Sequence, residues 1–279
     1  MSSKNTWQYT LKLAHYFQAQ ISLMHVYEDA SSSLSKDSEF FDNRLIDSLD
    51  SFDEERYQEE QNRLTSFANK HTPHINQSVP MDYIVTIGNI AEAILKEEQE
   101  NKYDLIVLGT KVGHQLTDRI FGSTSLKVLK RATTPVFLVP PMAQYARINK
   151  IVYITNFELS DLSSVAQLME WVSAFKAEFH LLHVSQRASL TQQAMEKMEK
   201  LKLRLETEYE AESLAFKVLE GKLLENVETY LDFVDADMMA LTNHKQGFFT
   251  QLIDPDLQNQ LAAKTIVPLL TFKQTATSS

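Results

Sequence analysis

The chain contains no cysteine. A disulfide framework and a thiolate metal site are therefore excluded. The same absence fits a reducing compartment, so the cytoplasm is the expected location. An excess of positive charge is also lacking: 27 Lys and Arg stand against 37 Asp and Glu, a formal net charge of −10. General nucleic-acid binding needs a basic face, and an acidic surface is repelled by anionic lipid, so neither partner is expected. No window approaches the ~18 uncharged apolar residues of a membrane span. The opening residues MSSKNTWQYT are polar and hold no apolar leader core. The signatures HExxH, GxSxG, DFG and GxxxxGK[ST] do not occur. What is present is ordinary globular material, 43% hydrophobic and 23% charged over 279 residues. That length suits two domains of about 100 to 150 residues.

Two blocks of sequence recur. FQAQISLMHV at 17–26 and FKAEFHLLHV at 175–184 share Phe, Ala, Leu, His and Val at an offset of 158 residues. Further on, Gly88, Glu92, Asp104, Leu108 and Pro135 match Gly221, Glu225, Asp237, Leu241 and Pro268 at an offset of 133. The 25-residue change of offset places an insertion in the first copy, in the Ser- and Asp-rich stretch from Asp29 to Asp53. Each copy alternates helical and apolar β-type segments, which indicates βαβ units around a parallel sheet. Runs such as LIVL and VFLV are apolar on both faces, as a sheet covered by helices requires. The expected architecture is α/β, two tandem doubly wound parallel-sheet domains at 1–140 and 149–279, joined through PPMAQYARIN.

One element is missing from the first copy. The second opens with the strand KIVYITNF, from Lys150 to Phe157, whereas Met1 aligns with Leu159, where that strand has ended. A first strand is normally interior, and its loss exposes ladder groups and apolar surface. Three readings are open: a chain that begins upstream, favoured by a helix N-cap at Ser2 and Ser3; a gap filled by another segment or chain; or a four-stranded domain.

The loop in DLIVLGTKVGHQLTDRIFGSTS, 104–125, carries the main functional signal. It leaves the carboxyl end of a strand, where ligands sit in open α/β sheets. Gly122, Ser123, Thr124 and Ser125 would open a helix whose unpaired N–H groups suit an anion. Lys111, Arg119, Lys127, Lys130 and Arg131 stand against Asp118 alone. The competing reading is a plain βα turn, with a serine cap and a glycine ending the strand.

With these residues in view, the chain resembles the universal stress protein family in its tandem form. The resemblance rests on the order of elements, the strands ending in HV, and DLIVLGT followed by a Gly-Ser loop. It implies five parallel strands per domain and, in many members, bound ATP. The family's pattern is Gly, two residues, Gly, nine residues, Gly, then Ser or Thr. Gly109, Gly122 and Ser123 match its span and ends, while Val112 replaces the middle glycine beside Gly113. Carried over, Val26 would touch the base, Leu108 and Gly109 would floor the ribose and phosphate region, and Gly122 to Ser125 would hold phosphates. The implied ligand is ATP or AMP, with Mg²⁺ accompanying ATP. In the second copy Thr242, Lys245, Pro255 and Asp256 replace Gly109, Val112, Gly122 and Ser123, so no nucleotide is expected there. Asn156 stands where the family has an acidic residue.

Other features read as structure. His25 and His183 are expected as packed histidines, and HTPH at 71–74 as a surface loop. DEERYQEEQ reads as a solvated helix face, and Met195, Met198, Leu201 and Leu205 as a core stripe. The terminal strands TPVFLV and VPLLTF are expected at sheet edges. The family resemblance implies that they pair as an internal pseudo-dimer, and leaves whole-chain dimers open. The expected function is a non-catalytic nucleotide-responsive module with a structural second domain. The alternatives are an interaction scaffold with both sites dead and a slow ATPase.

Overall fold

The computed structural model describes residues 2–27, 43–72, 79–110, 122–143, 145, 147–209, 214–244, 248–252 and 267–273. The chain forms two compact units, Thr10–Lys102 and a larger one made of Met1–Tyr9 with Tyr103–Ser279. This division differs from the sequence repeat, because helix α1 (Ser2–Phe17) contributes to both units.

In the smaller unit, β1 (Ile21–Tyr27) and β2 (Met81–Ile87) form a two-stranded parallel sheet, with Ile21 opposite Met81 and Tyr27 opposite Ile87. Helix α2 (Asn43–His71) connects them and α3 (Ile90–Glu100) follows. Tyr27, Leu64 and Val85 form a core on which Leu23, Tyr57 and Tyr83 pack. Asn89 caps α3, its side-chain oxygen accepting from the N–H groups of Ala91 and Glu92 at 3.1 and 3.3 Å.

The larger unit holds β3 (Ile106–Gly109), α4 (Ser123–Arg131), β4 (Val136–Val139), β5 (Lys150–Ile154), α5 (Leu159–Phe175), β6 (Glu178–Ser185), α6 (Thr191–Glu208), β7 (Leu214–Glu220), α7 (Leu223–Val234), β8 (Met238–Asn243), α8 (Phe248–Leu252) and β9 (Leu269–Lys273). Its seven strands run β3-β4-β9-β8-β5-β6-β7. Every neighbouring pair is parallel except β4 and β9, where Phe137 meets Leu270 in an antiparallel ladder. The second repeat thus has five strands, with its chain order reversing across β5 and β8. Ile151, Val152, Tyr153, Met238 and Ala240 are completely buried, as strands covered on both faces must be.

The repeat is visible in single hydrogen bonds. Gly88 N–H donates to Tyr27 C=O and Gly221 N–H to Ser185 C=O, both at 3.0 Å. The glycines sit at φ +125° and +127°, a region closed to most side chains. Gln18 and Lys176 end their helices at the same φ of 52°.

Helix α2 starts at Asn43, inside the stretch assigned to the insertion, and no Pro or Gly interrupts the run that follows. Three expectations are corrected. His71 is the last residue of α2 and not part of a loop: its Nδ1 lies 2.9 Å from Phe67 C=O. His74 falls outside the described residues. Met195 is 48% exposed, and the buried face of α6 is Ala194, Met198, Leu201 and Leu205, the 4-3-4 spacing of one helical stripe. DEERYQEEQ is not wholly solvated, since Tyr57 joins the core and Glu60 lies 3.3 Å from the ring of His25. Among the described residues, no helix is long and apolar enough to cross a membrane.

Candidate functional site

The residues that flank the Gly-Ser loop of the first repeat, Gly109 and Gly122, both lie in the larger unit. Gly109 closes β3 opposite Val139, and Thr110 N–H donates to Val139 C=O at 3.0 Å. Gly122 is the N-cap of α4 at φ −62°, and its carbonyl accepts from Leu126 N–H. Among the described residues, no side-chain hydrogen bond caps this helix end. Its φ is open to any residue, and an added Cβ would meet no described atom within 4 Å. Without a side chain, glycine leaves its own backbone free for close approach to the first-turn amides.

The charges around this end favour an anion less strongly than composition suggested. Helices α3, α5 and α7 each place an acid in the first turn, Glu92, Asp161 and Glu225, whereas α4, like α1, α2, α6 and α8, places none. Lys130 and Arg131, however, lie in the last turn of α4, at the end away from Gly122. Lys111, Val112, Gly113, Asp118 and Arg119 are outside the described residues. Ser123 is exposed and Ser125 buried. Leu108 lies on β3 and Val26 on β1, in the smaller unit. Among the described residues, no group of three or more His, Asp or Glu is arranged to hold a metal.

At the corresponding end of the second repeat the protein has filled the space with its own polar side chains. Asp161, only 1% exposed, accepts five hydrogen bonds. Tyr153 OH and His244 Nε2 reach its Oδ1 at 2.9 and 2.7 Å. The Thr155 hydroxyl and the N–H groups of Asn156 and Glu158 reach Oδ2 at 2.7, 3.0 and 3.2 Å. A carboxylate only accepts, so His244 carries its proton on Nε2. The Thr242 hydroxyl stands 2.7 Å from Tyr153 OH and 2.6 Å from Ser164 Oγ, continuing the chain across β8. Burial pushes the Asp161 carboxyl up, but the hydrogen bond and field of His244, with the Thr155 and Tyr153 hydroxyls, outweigh it and hold the pKa below 3.8. Burial and the Asp161 charge push the Tyr153 phenol well above 10.0.

Beside this network, Phe157 at φ 59° lays its ring on His183, with centroids 4.4 Å apart. His183 Nδ1 lies 2.8 Å from Thr155 C=O. Sequence reasoning anticipated the packed histidine and missed the Asp161–His244 pair, whose members are 83 residues apart. The available signal was local to each end: Tyr-Ile-Thr just before the α5 acid, and Thr-Asn-His closing β8. Pro255 and Asp256, expected to spoil this copy's loop, lie outside the described residues.

Residues 2–140 match the sequence model of the universal stress protein family. The chain belongs to that family. No curated protein matches the sequence. Two solved structures share the fold of this universal stress protein over nearly its whole length. One is a universal stress protein from Archaeoglobus fulgidus, 15% identical, covering 98% of this chain and 92% of its own, with a TM-score of 0.66. The other is a Pseudomonas aeruginosa protein assigned to the same family, 14% identical, covering 95% and 87%, with a TM-score of 0.63. The similarity spans both repeats, so the tandem α/β architecture is that of the family.

Proposed function

We propose that this universal stress protein is a nucleotide-responsive module without catalytic activity. Its first repeat grips the phosphates of ATP or AMP, and its second is a structural copy. The observation that carries the reading is Gly122: a helix N-cap whose φ is open to any residue and whose Cβ would meet no described atom, before a first turn free of acid. Ser123, Thr124 and Ser125 offer N–H groups and hydroxyls to phosphate oxygens. Leu108 and Gly109 would line the adjoining strand end. Mg²⁺ would arrive with ATP rather than occupy a protein site. In the second repeat, the corresponding strand ends are taken up by the buried Asp161 network, with Phe157 packed on His183 beside it. The antiparallel β4–β9 ladder supports the two repeats acting as an internal pseudo-dimer.

Calorimetric titration with ATP and Mg²⁺ tests the reading. Binding with a stoichiometry of one, weakened in S123D, is expected. No heat and no thermal shift at millimolar ATP would leave the scaffold reading. Phosphate release above the S123D background would make the protein an ATPase.

A further inference from the structure

The helix that opens beyond Gly122 is held at its other end by the second repeat. Leu129 and Lys130 lie in the last turn of α4, where carbonyls outrun the helix's own N–H groups. Leu129 C=O accepts from Asn243 Nδ2 at 2.9 Å, and Lys130 C=O accepts from Lys273 Nζ at 3.3 Å. Asn243 closes β8, Lys273 closes β9, and the parallel ladder sets the two opposite each other. One rung of the second repeat's strands thus presents an amide and a cation to successive carbonyls of a first-repeat helix. The charge of Lys273 suits that end, where a helix carries its negative partial charge. The rung is itself anchored. One residue past Asn243, His244 Nε2 is bonded to Asp161, and two residues before Lys273 the Thr271 hydroxyl donates to Val136 C=O.

Helix α4 depends on such support because it is short. Its nine residues fall below the ~12–15 at which an isolated helix becomes even marginal in water. Leu126, Val128 and Leu129 are buried and hold its flank, but among the described residues no side-chain hydrogen bond caps its start. Over so few residues helix formation is cooperative, so a hold on one end steadies the other.

We propose that Asn243 and Lys273 are positioning residues for the anion site at Gly122 to Ser125, and that through them the second repeat sets the first repeat's affinity for a phosphate-bearing ligand. The inference rests on the nucleotide reading above and adds to it a coupling between the repeats. The first-turn amides of α4 point together at an anion only while that turn is helical, and the cap on Leu129 and Lys130 keeps it helical. Neither residue touches the ligand, since both stand at the opposite end of the helix. Linkage makes the effect reciprocal: an anion held at the first turn tightens the cap at the last.

The test compares the full chain with N243A, K273M and the double variant, by amide hydrogen exchange and by ATP titration. Without nucleotide, exchange from Leu126 to Ala132 should quicken about tenfold in the double variant, as the loss of two ordinary hydrogen bonds implies. Exchange from Met239 to Leu241 in β8 should not change. ATP should bind the double variant about fivefold more weakly, the low end for coupled sites, with the single variants in between. In the parent, saturating ATP should slow exchange from Leu129 to Ala132. Three results would overturn the coupling alone: unchanged α4 exchange in the double variant, equal quickening in α4 and β8, or ATP bound as tightly by the double variant as by a parent that does bind it. A parent that binds no ATP would overturn the nucleotide reading and this inference together.

Discussion

His244 Nε2 and Asp161 Oδ1 lie 2.7 Å apart, both side chains almost wholly buried, at the carboxyl ends of the second repeat's inner strands. Neither has a counterpart of its type in the first repeat, where Ser3 and Lys111 occupy the equivalent positions. The second copy has converted the crevice at its chain reversal into internal structure.

Asp161→Ala should be among the most damaging single changes. It leaves five donors without an acceptor, and losing one side of such a buried charged network costs about 3–5 kcal/mol. The loss is read by urea denaturation at neutral pH. Because the folded-state pKa is held below 3.8, the contribution of the carboxylate is complete above that value and is lost as pH falls through the folded pKa. The gap between the parent protein and D161A should therefore persist down to about pH 4 and close only below it. A gap that closes at pH 6 would show that Asp161 is not the ionised centre of the network.

His183 gives a second pH dependence. Burial lowers its pKa below 6.5 and the nearby Lys197 acts in the same direction, against the Thr155 carbonyl and Asp161. As pH falls through 6.5, the unfolded chain takes up a proton before the folded one does, so stability declines. His180, lowered chiefly by burial, adds to the decline. The denaturation midpoint should drop between about pH 7 and about pH 5, and H183Q should flatten part of that slope while leaving the share due to His180. An unchanged slope in H183Q would contradict the assignment.

The strands were legible because their apolar runs are short, bounded and repeated: ISLMHVY became β1 and FHLLHVS became β6 in matching registers. Helix phase was read less well. Met195 fits an i, i+3 pattern with Met198, yet lies outside the stripe that Ala194 defines. Charge counted along the sequence misplaced Lys130 and Arg131, because nine helical residues carry them to the far end of α4. The Asp161 network depends on β8 lying next to β5, a pairing no local pattern announces.

Gly88 and Gly221 offer a matched test of backbone strain. Alanine at either must adopt a φ near +125°, which costs about 1–3 kcal/mol. The sites differ in space. A Cβ at Gly88 meets no described atom within 4 Å, whereas one at Gly221 lies 3.0 Å from the Asn226 amide nitrogen. That amide donates to Glu220 C=O and Lys222 C=O at 3.4 and 2.8 Å. G221A should therefore exceed G88A by roughly one hydrogen bond, about 1 kcal/mol, in chemical denaturation. Equal losses would mean that the Asn226 side chain moves aside freely.

The phosphate reading is tested most cleanly at Ser123, because the expected effects on folding and on binding have opposite signs. Ser123 is exposed in the first turn of α4, where an acid is favoured by about 0.3–1 kcal/mol, so S123D should melt no lower than the parent. The same carboxylate would stand within about 5 Å of a bound phosphate, a repulsion of roughly 1–3 kcal/mol between surface and intermediate dielectric. ATP affinity should fall about 5- to 150-fold, and the deficit should shrink as salt is raised. Gly122→Ala should fold nearly as well as the parent, since its φ is ordinary and its Cβ meets no described atom, and should still weaken ATP by covering the amides. If both variants bind ATP like the parent, the nucleotide does not sit at α4, and the glycine there only ends a turn.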